Sequence, residues 1–162
     1  MILLRNLRKM RKQVKRKVWS TGINTIFHAI TGACITDRDK LDKLRVMEYS
    51  ALEAIIKGKG TVTDWQTLTD VLNLAETMAR GGIGPEVLPV CEKAQQALHE
   101  AAMRFQKTKK LGLTGEGINW VRELIQYADL QQSSISRSEF ERYIQKTRDY
   151  IKSNNNNVVE II

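Results

Sequence analysis

Apolar residues return every three or four positions through five stretches of this chain, and that spacing predicts amphipathic helices. Leu41, Leu44, Met47 or Glu48, Ala51, Leu52, Ile55 and Ile56 form the first stripe, which Thr36 or Asp37 can cap and which Gly58 and Gly60 stop. Leu68, Val71, Leu72, Ala75, Met78 and Ala79 form the second, with Thr63 and Gln66 as its expected capping box and Gly81-Gly82 as its end. Pro85 suits the first turn of a third helix and Glu86 lies near its positive end. Val87, Leu88, Cys91, Ala94, Leu98, Ala101, Ala102 and Phe105 then run as one face toward Lys109-Lys110. Gly112, Gly115 and Gly117 are expected to break the chain before a fourth helix built on Ile118, Val121, Leu124, Ile125 and Ala128. Ser133 and Ser134 interrupt it, and Ser136 with Glu139 makes a capping box for a fifth, which carries Phe140, Tyr143, Ile144, Thr147, Tyr150 and Ile151.

Every stripe leaves a polar side, so the helices can share one core, and no alternating strand pattern competes. The expected fold is all-α: a single-domain bundle of about five helices. A chain of 162 residues is long enough to fill such a core. The organisation divides into a basic amphipathic arm over 1–18, the helical bundle over 19–153 and a flexible Asn-rich tail with an apolar end over 154–162. Within the second part, residues 19–35 carry Ile23, Ile26, Phe27, Ile30 and Ile35 between Gly22 and Gly32, and read as a short helix or an irregular packed stretch.

Charge changes the picture at one place. The formal net charge is +8, and the first seventeen residues hold eight cations, Arg5, Arg8, Lys9, Arg11, Lys12, Lys15, Arg16 and Lys17, with no acid. The rest balances, with 18 Lys or Arg against 18 Asp or Glu. Leu3, Leu7, Met10, Val14 and Val18 share one stripe of this arm, so it can form a helix from about Leu3 to about Val18 once its charge is neutralised; alone, like charges three and four apart fray it. Such an arm points to phosphate, DNA or RNA, or to another acidic partner. A basic amphipathic helix also fits an anionic membrane surface, with Trp19 as an anchor, and the bland alternative is a solvated terminus or a helix docked on its own body. The charges are followed by no long apolar run, so a signal peptide is not expected, and no stretch is apolar enough for a transmembrane segment.

At the other end, Val158, Val159, Ile161 and Ile162 follow the tract Asn154 to Asn157 and are the candidate partner-binding residues, able to dock on a second copy of the chain or on another protein. The alternative is that they pack on the bundle or fray.

Little in the body suggests catalysis. His28, Cys34, Cys91 and His99 lack the paired short spacings of a structural zinc site, and Cys91 and His99 are two helical turns apart, too far to act as nucleophile and base on one helix. Both cysteines read as reduced, buried thiols. Asp37, Asp39 and Asp42 are accounted for by a helix dipole. The run Gly81-Gly82-Ile83-Gly84-Pro85 lacks the lysine and preceding strand of a phosphate loop and reads as a connection. Trp65 and Trp120 fall early in their helices and suit core or rim. No catalytic residue, metal ligand or cofactor is therefore expected.

Gly58-Lys59-Gly60, Asp64-Trp65, Leu72-Asn73-Leu74-Ala75-Glu76 and Gly82-Ile83-Gly84 together give the chain a family likeness. From Met10 to Ile151 it resembles a family of small uncharacterised phage and prophage proteins of Gram-negative bacteria, whose basic start Met10-Arg11-Lys12 matches. The residues before Met10 and the Asn-rich tail depart from that pattern. The resemblance implies an all-helical accessory protein in the cytoplasm of a bacterial host, with no activity to carry over. The expected function is non-enzymatic: nucleic-acid binding through the arm in a regulatory or nucleoprotein role, or inhibition or assembly of a host or phage protein through the bundle and tail. A homo-oligomer is also left open.

Overall fold

Three of the helix starts are set by side chains that return a bond to the backbone. In a computed structural model that describes residues 38–153, Thr61 caps the second helix, α2 (Val62–Arg80), because its hydroxyl accepts from the Asp64 N–H while the Asp64 carboxylate accepts from the Thr61 N–H at 2.7 Å. This corrects the box expected at Thr63 and Gln66: Thr63 lies inside the first turn, where its carbonyl accepts from the Thr67 hydroxyl. The helix before it, α1, runs Arg38–Ile56, and its cap at Thr36 or Asp37 lies outside the described residues. After Gly82 and Gly84, both at positive φ, Pro85–Val87 forms a 3-10 turn, and α3 follows over Leu88–Thr108 with Pro89 in its first turn.

The fourth helix, α4 (Gly115–Ser134), starts earlier and ends later than glycine and serine content suggests. Thr114 accepts from the Gly117 N–H at 3.0 Å, which brings Gly115 and Gly117 into the first turn rather than leaving them as a break. Ser133 and Ser134 remain within the helix, where their hydroxyls donate to the carbonyls of Asp129 and Gln131. Ser136 and Glu139 make the reciprocal box expected of them and open α5 (Arg137–Ser153). The described residues thus form an all-α bundle with five long helices and no strand.

The second helix, α2, packs on α1, α3, α4 and α5. Its stripe residues Leu68, Val71, Leu72, Ala75, Met78 and Ala79 are all buried, and all but Met78 join Leu52, Ile55, Leu98, Val121, Leu124 and Ile125 in the main core. Burying each large aliphatic side chain contributes about 1.5–3 kcal/mol. Trp65 belongs to that core, its indole N–H donating to the Leu98 carbonyl at 2.9 Å, whereas Trp120 is half-buried and donates to Glu116 on its own helix. A second apolar cluster of Met78, Ile83, Ile135 and Tyr143, with Leu74 and Phe140 against it, holds α5 to α2. On α1 the stripe passes through Glu48, which is buried, and not through Met47, which is exposed; Ile56 is exposed as well.

Candidate interface and buried polar groups

The eight arm cations, Arg5, Arg8, Lys9, Arg11, Lys12, Lys15, Arg16 and Lys17, and the tail residues Val158, Val159, Ile161 and Ile162 lie outside the described residues, as do His28 and Cys34. Among the described residues the bundle gathers ionisable side chains at three places.

The first is the seam between α1 and α4. Arg45 Nε donates to Asp129 at 2.9 Å, and the other two guanidinium nitrogens reach Asp42 and Ser133. Behind this pair Glu48 is 5 % exposed, with one carboxylate oxygen lacking a partner among the described residues. Burial, reinforced by the Asp129 charge, pushes its carboxyl up from the ordinary 4.5 to about 7, while the Gln132 side chain and the Arg45 charge pull the other way. Glu48 therefore changes charge near neutrality. Burial pushes the neighbouring Tyr49 hydroxyl up as well.

The second lies between the end of α2 and the start of α3. Glu76, buried on α2, accepts from Arg80 one turn on, and burial outweighs that partner in pushing its carboxyl up. Cys91 sits beside them; burial, followed by the Glu76 charge, pushes its thiol up to about 12. A thiol so protonated is a small buried hydrophobe rather than a nucleophile. The Gln131 amide donates to the Ala75 and Ile83 carbonyls at 3.1 and 2.8 Å, and its side chain packs against Gly84 in the Gly81–Pro85 connection. Gln95 on α3 is buried with no partner for its amide among the described residues.

The third is the turn from α3 to α4. Arg104, Lys107, Lys109 and Lys110 are all exposed, and residues 101–115 contain no acid. Arg104 donates to the Gly112 carbonyl at 2.8 Å, the Lys110 N–H donates to the Thr108 hydroxyl, and Lys109 closes α3 in the left-handed conformation with its ammonium 5.6 Å from the centre of the Phe105 ring. The flanking carboxylates are engaged elsewhere: Glu100 accepts from Gln96 and Glu116 from Trp120. Among the described residues none of the four cations pairs with a carboxylate.

Sequence reasoning passed over most of this. Glu76, Gln95, Gln131 and Gln132 lie three or four positions from stripe residues, so the helical spacing that found the apolar core also marks them. The basic turn is hidden by a charge balance taken over the whole body. Among the described residues, no helix is long and apolar enough to cross a membrane, and no three His, Cys, Asp or Glu side chains stand close enough to hold a metal ion. Compared with models of protein families, with curated proteins and with solved structures, the chain finds no match.

Proposed function

We propose that this is a non-enzymatic accessory protein of a phage or similar mobile element that works in the bacterial cytoplasm and binds nucleic acid through its basic arm. The observation that carries this reading is the separation of charge. Eight cations without an acid occupy residues 1–17, whereas the helices over 38–153 hold 18 cations and 16 acids, six of the acids paired with a basic side chain within 4 Å. A segment that carries eight cations and no acid of its own can neutralise phosphates and release counterions.

The test replaces Arg5, Arg8, Lys9, Arg11, Lys12, Lys15, Arg16 and Lys17 by Gln in the full chain. Binding to a generic DNA duplex and to single-stranded RNA is then measured at several salt concentrations. The expected result is affinity that falls steeply with salt, by about 0.9 in log-log slope per phosphate contacted on duplex, and that collapses in the Gln variant. Weak, salt-insensitive binding by the unaltered protein overturns the proposal.

A further inference from the structure

The bundle carries a cluster of cations that the arm does not account for. Arg104, Lys107, Lys109 and Lys110 stand together where α3 ends, exposed and without a carboxylate partner among the described residues. Outside this turn the described helices are slightly acidic, with 14 cations against 16 acids. The dipole of α3 favours a cation near its last turn, but four like charges in seven residues repel one another. An anion bound across them removes that repulsion.

Placement fits an extended polyanion. From Arg104 to Thr108 the last turn of α3 rises roughly 6 Å, over which one strand of a duplex presents about two phosphates, and Lys109 and Lys110 follow just beyond the helix end. The turn is also held in shape. Arg104 ties to the Gly112 carbonyl, Lys109 lies against Phe105, and a Cβ placed at Gly112 or Gly115 meets nothing within 4 Å, so the backbone there is open to close approach. Arg104 is therefore partly structural, Lys107 and Lys110 are exposed with no carboxylate partner among the described residues, and Lys109 is exposed with its ammonium resting against the Phe105 ring.

We infer that the turn joining α3 and α4 is a second phosphate-contacting surface, with Lys107, Lys109 and Lys110 gripping the backbone of the nucleic acid that the arm engages. The inference rests on the nucleic-acid reading given above and adds a contact from the folded body, independent of base sequence.

The experiment uses the full chain carrying Lys107→Gln, Lys109→Asn and Lys110→Gln, with Asn chosen because it tolerates the left-handed conformation. Binding of a generic duplex is followed by fluorescence anisotropy across a salt series. If each lysine contacts one phosphate, the log-log slope falls by about 2.7 and affinity at ~0.1 M salt weakens by tenfold or more, while the melting temperature stays unchanged. A double variant, Lys107→Gln with Lys110→Gln, leaves the left-handed position intact and should lose about 1.8 of the slope, so the result does not depend on Lys109 folding correctly. An unchanged slope, in a protein whose binding is lost when the arm is neutralised, overturns this inference and leaves the arm reading standing. Loss of poly-glutamate binding without loss of duplex binding also overturns it and assigns the turn to an acidic protein. No duplex binding by the unaltered chain overturns both readings.

Discussion

The Tyr143 hydroxyl donates to the carbonyl of Gly81 at 3.5 Å, and its ring occupies the space into which any side chain at position 81 would project. A Cβ there would lie 2.6 Å from ring atom Cε1. Residue 81 closes α2 and Tyr143 is one of only two buried residues on α5, so this contact fixes how the last helix meets the bundle. Gly81→Ala should destabilise the protein by about 1–3 kcal/mol through overpacking. Combined with Tyr143→Ala it should cost less than the sum of the two single changes, because the clash is then gone. Chemical denaturation of the three variants checks both statements.

Leu72, Leu98 and Ile125 come from α2, α3 and α4 and are 1, 2 and 0 % exposed. Each changed to Ala should cost about 2–5 kcal/mol. Val46, which is 65 % exposed on α1, should cost within about 0.5 kcal/mol when changed to Ala. Urea midpoints at constant slope are the measurement.

Glu48 makes stability depend on pH in a defined direction. Its folded carboxyl is raised from 4.5 to about 7, so the folded state holds a proton that the unfolded chain has already released. The stabilisation from that proton is complete below about pH 4.5 and fades as pH rises through about 7, a change of up to roughly 3 kcal/mol. Glu48→Gln should flatten this part of the pH profile and make the variant more stable than the parent above neutrality. Thermal melts between about pH 5 and 8 decide it; parallel profiles for the two proteins would show that Glu48 is charged in the fold throughout.

The caps separate two sequence patterns that look alike. Thr61→Ala and Ser136→Ala should each cost about 1 kcal/mol by removing an N-cap acceptor, while Thr63→Ala should be close to neutral. A cost at Thr63 equal to that at Thr61 would place the helix start two residues later.

These cases show what the amino-acid pattern carries. Helical spacing found all five long helices because each buries one face, and burial by a 3.6-residue repeat leaves its mark on the letters themselves. Helix starts were less legible: Thr61 with Asp64 and Thr63 with Gln66 both satisfy the same local pattern, and only the three-dimensional reciprocity of Thr61 and Asp64 distinguishes them. Gly115 and Gly117 looked like a break because glycine is a poor helix former, a preference overridden by the Thr114 cap and by packing. Glu48 already stands on the first stripe as the alternative to Met47, whereas buried polar residues such as Gln95 and Gln131 escape a reading that sorts positions by chemistry rather than by spacing. For the site, the arm and the tail are legible from composition and spacing, while the α3–α4 turn needs the fold to show that its cations are exposed and that Glu100 and Glu116 are engaged with Gln96 and Trp120.

Gly117 meets α3 at Ala97, so closely that a Cβ on the glycine would lie 3.0 Å from that of the alanine, and Ala101 beside it is fully buried. Small residues on both sides let the two backbones approach and leave few rotamers to rearrange. The pair behaves as a rigid mount. Whatever meets the turn between these helices finds its backbone geometry already set, and association there costs side-chain ordering of three lysines but little ordering of the main chain. Enlarging Gly117 would thus push α3 and α4 apart next to the turn that joins them.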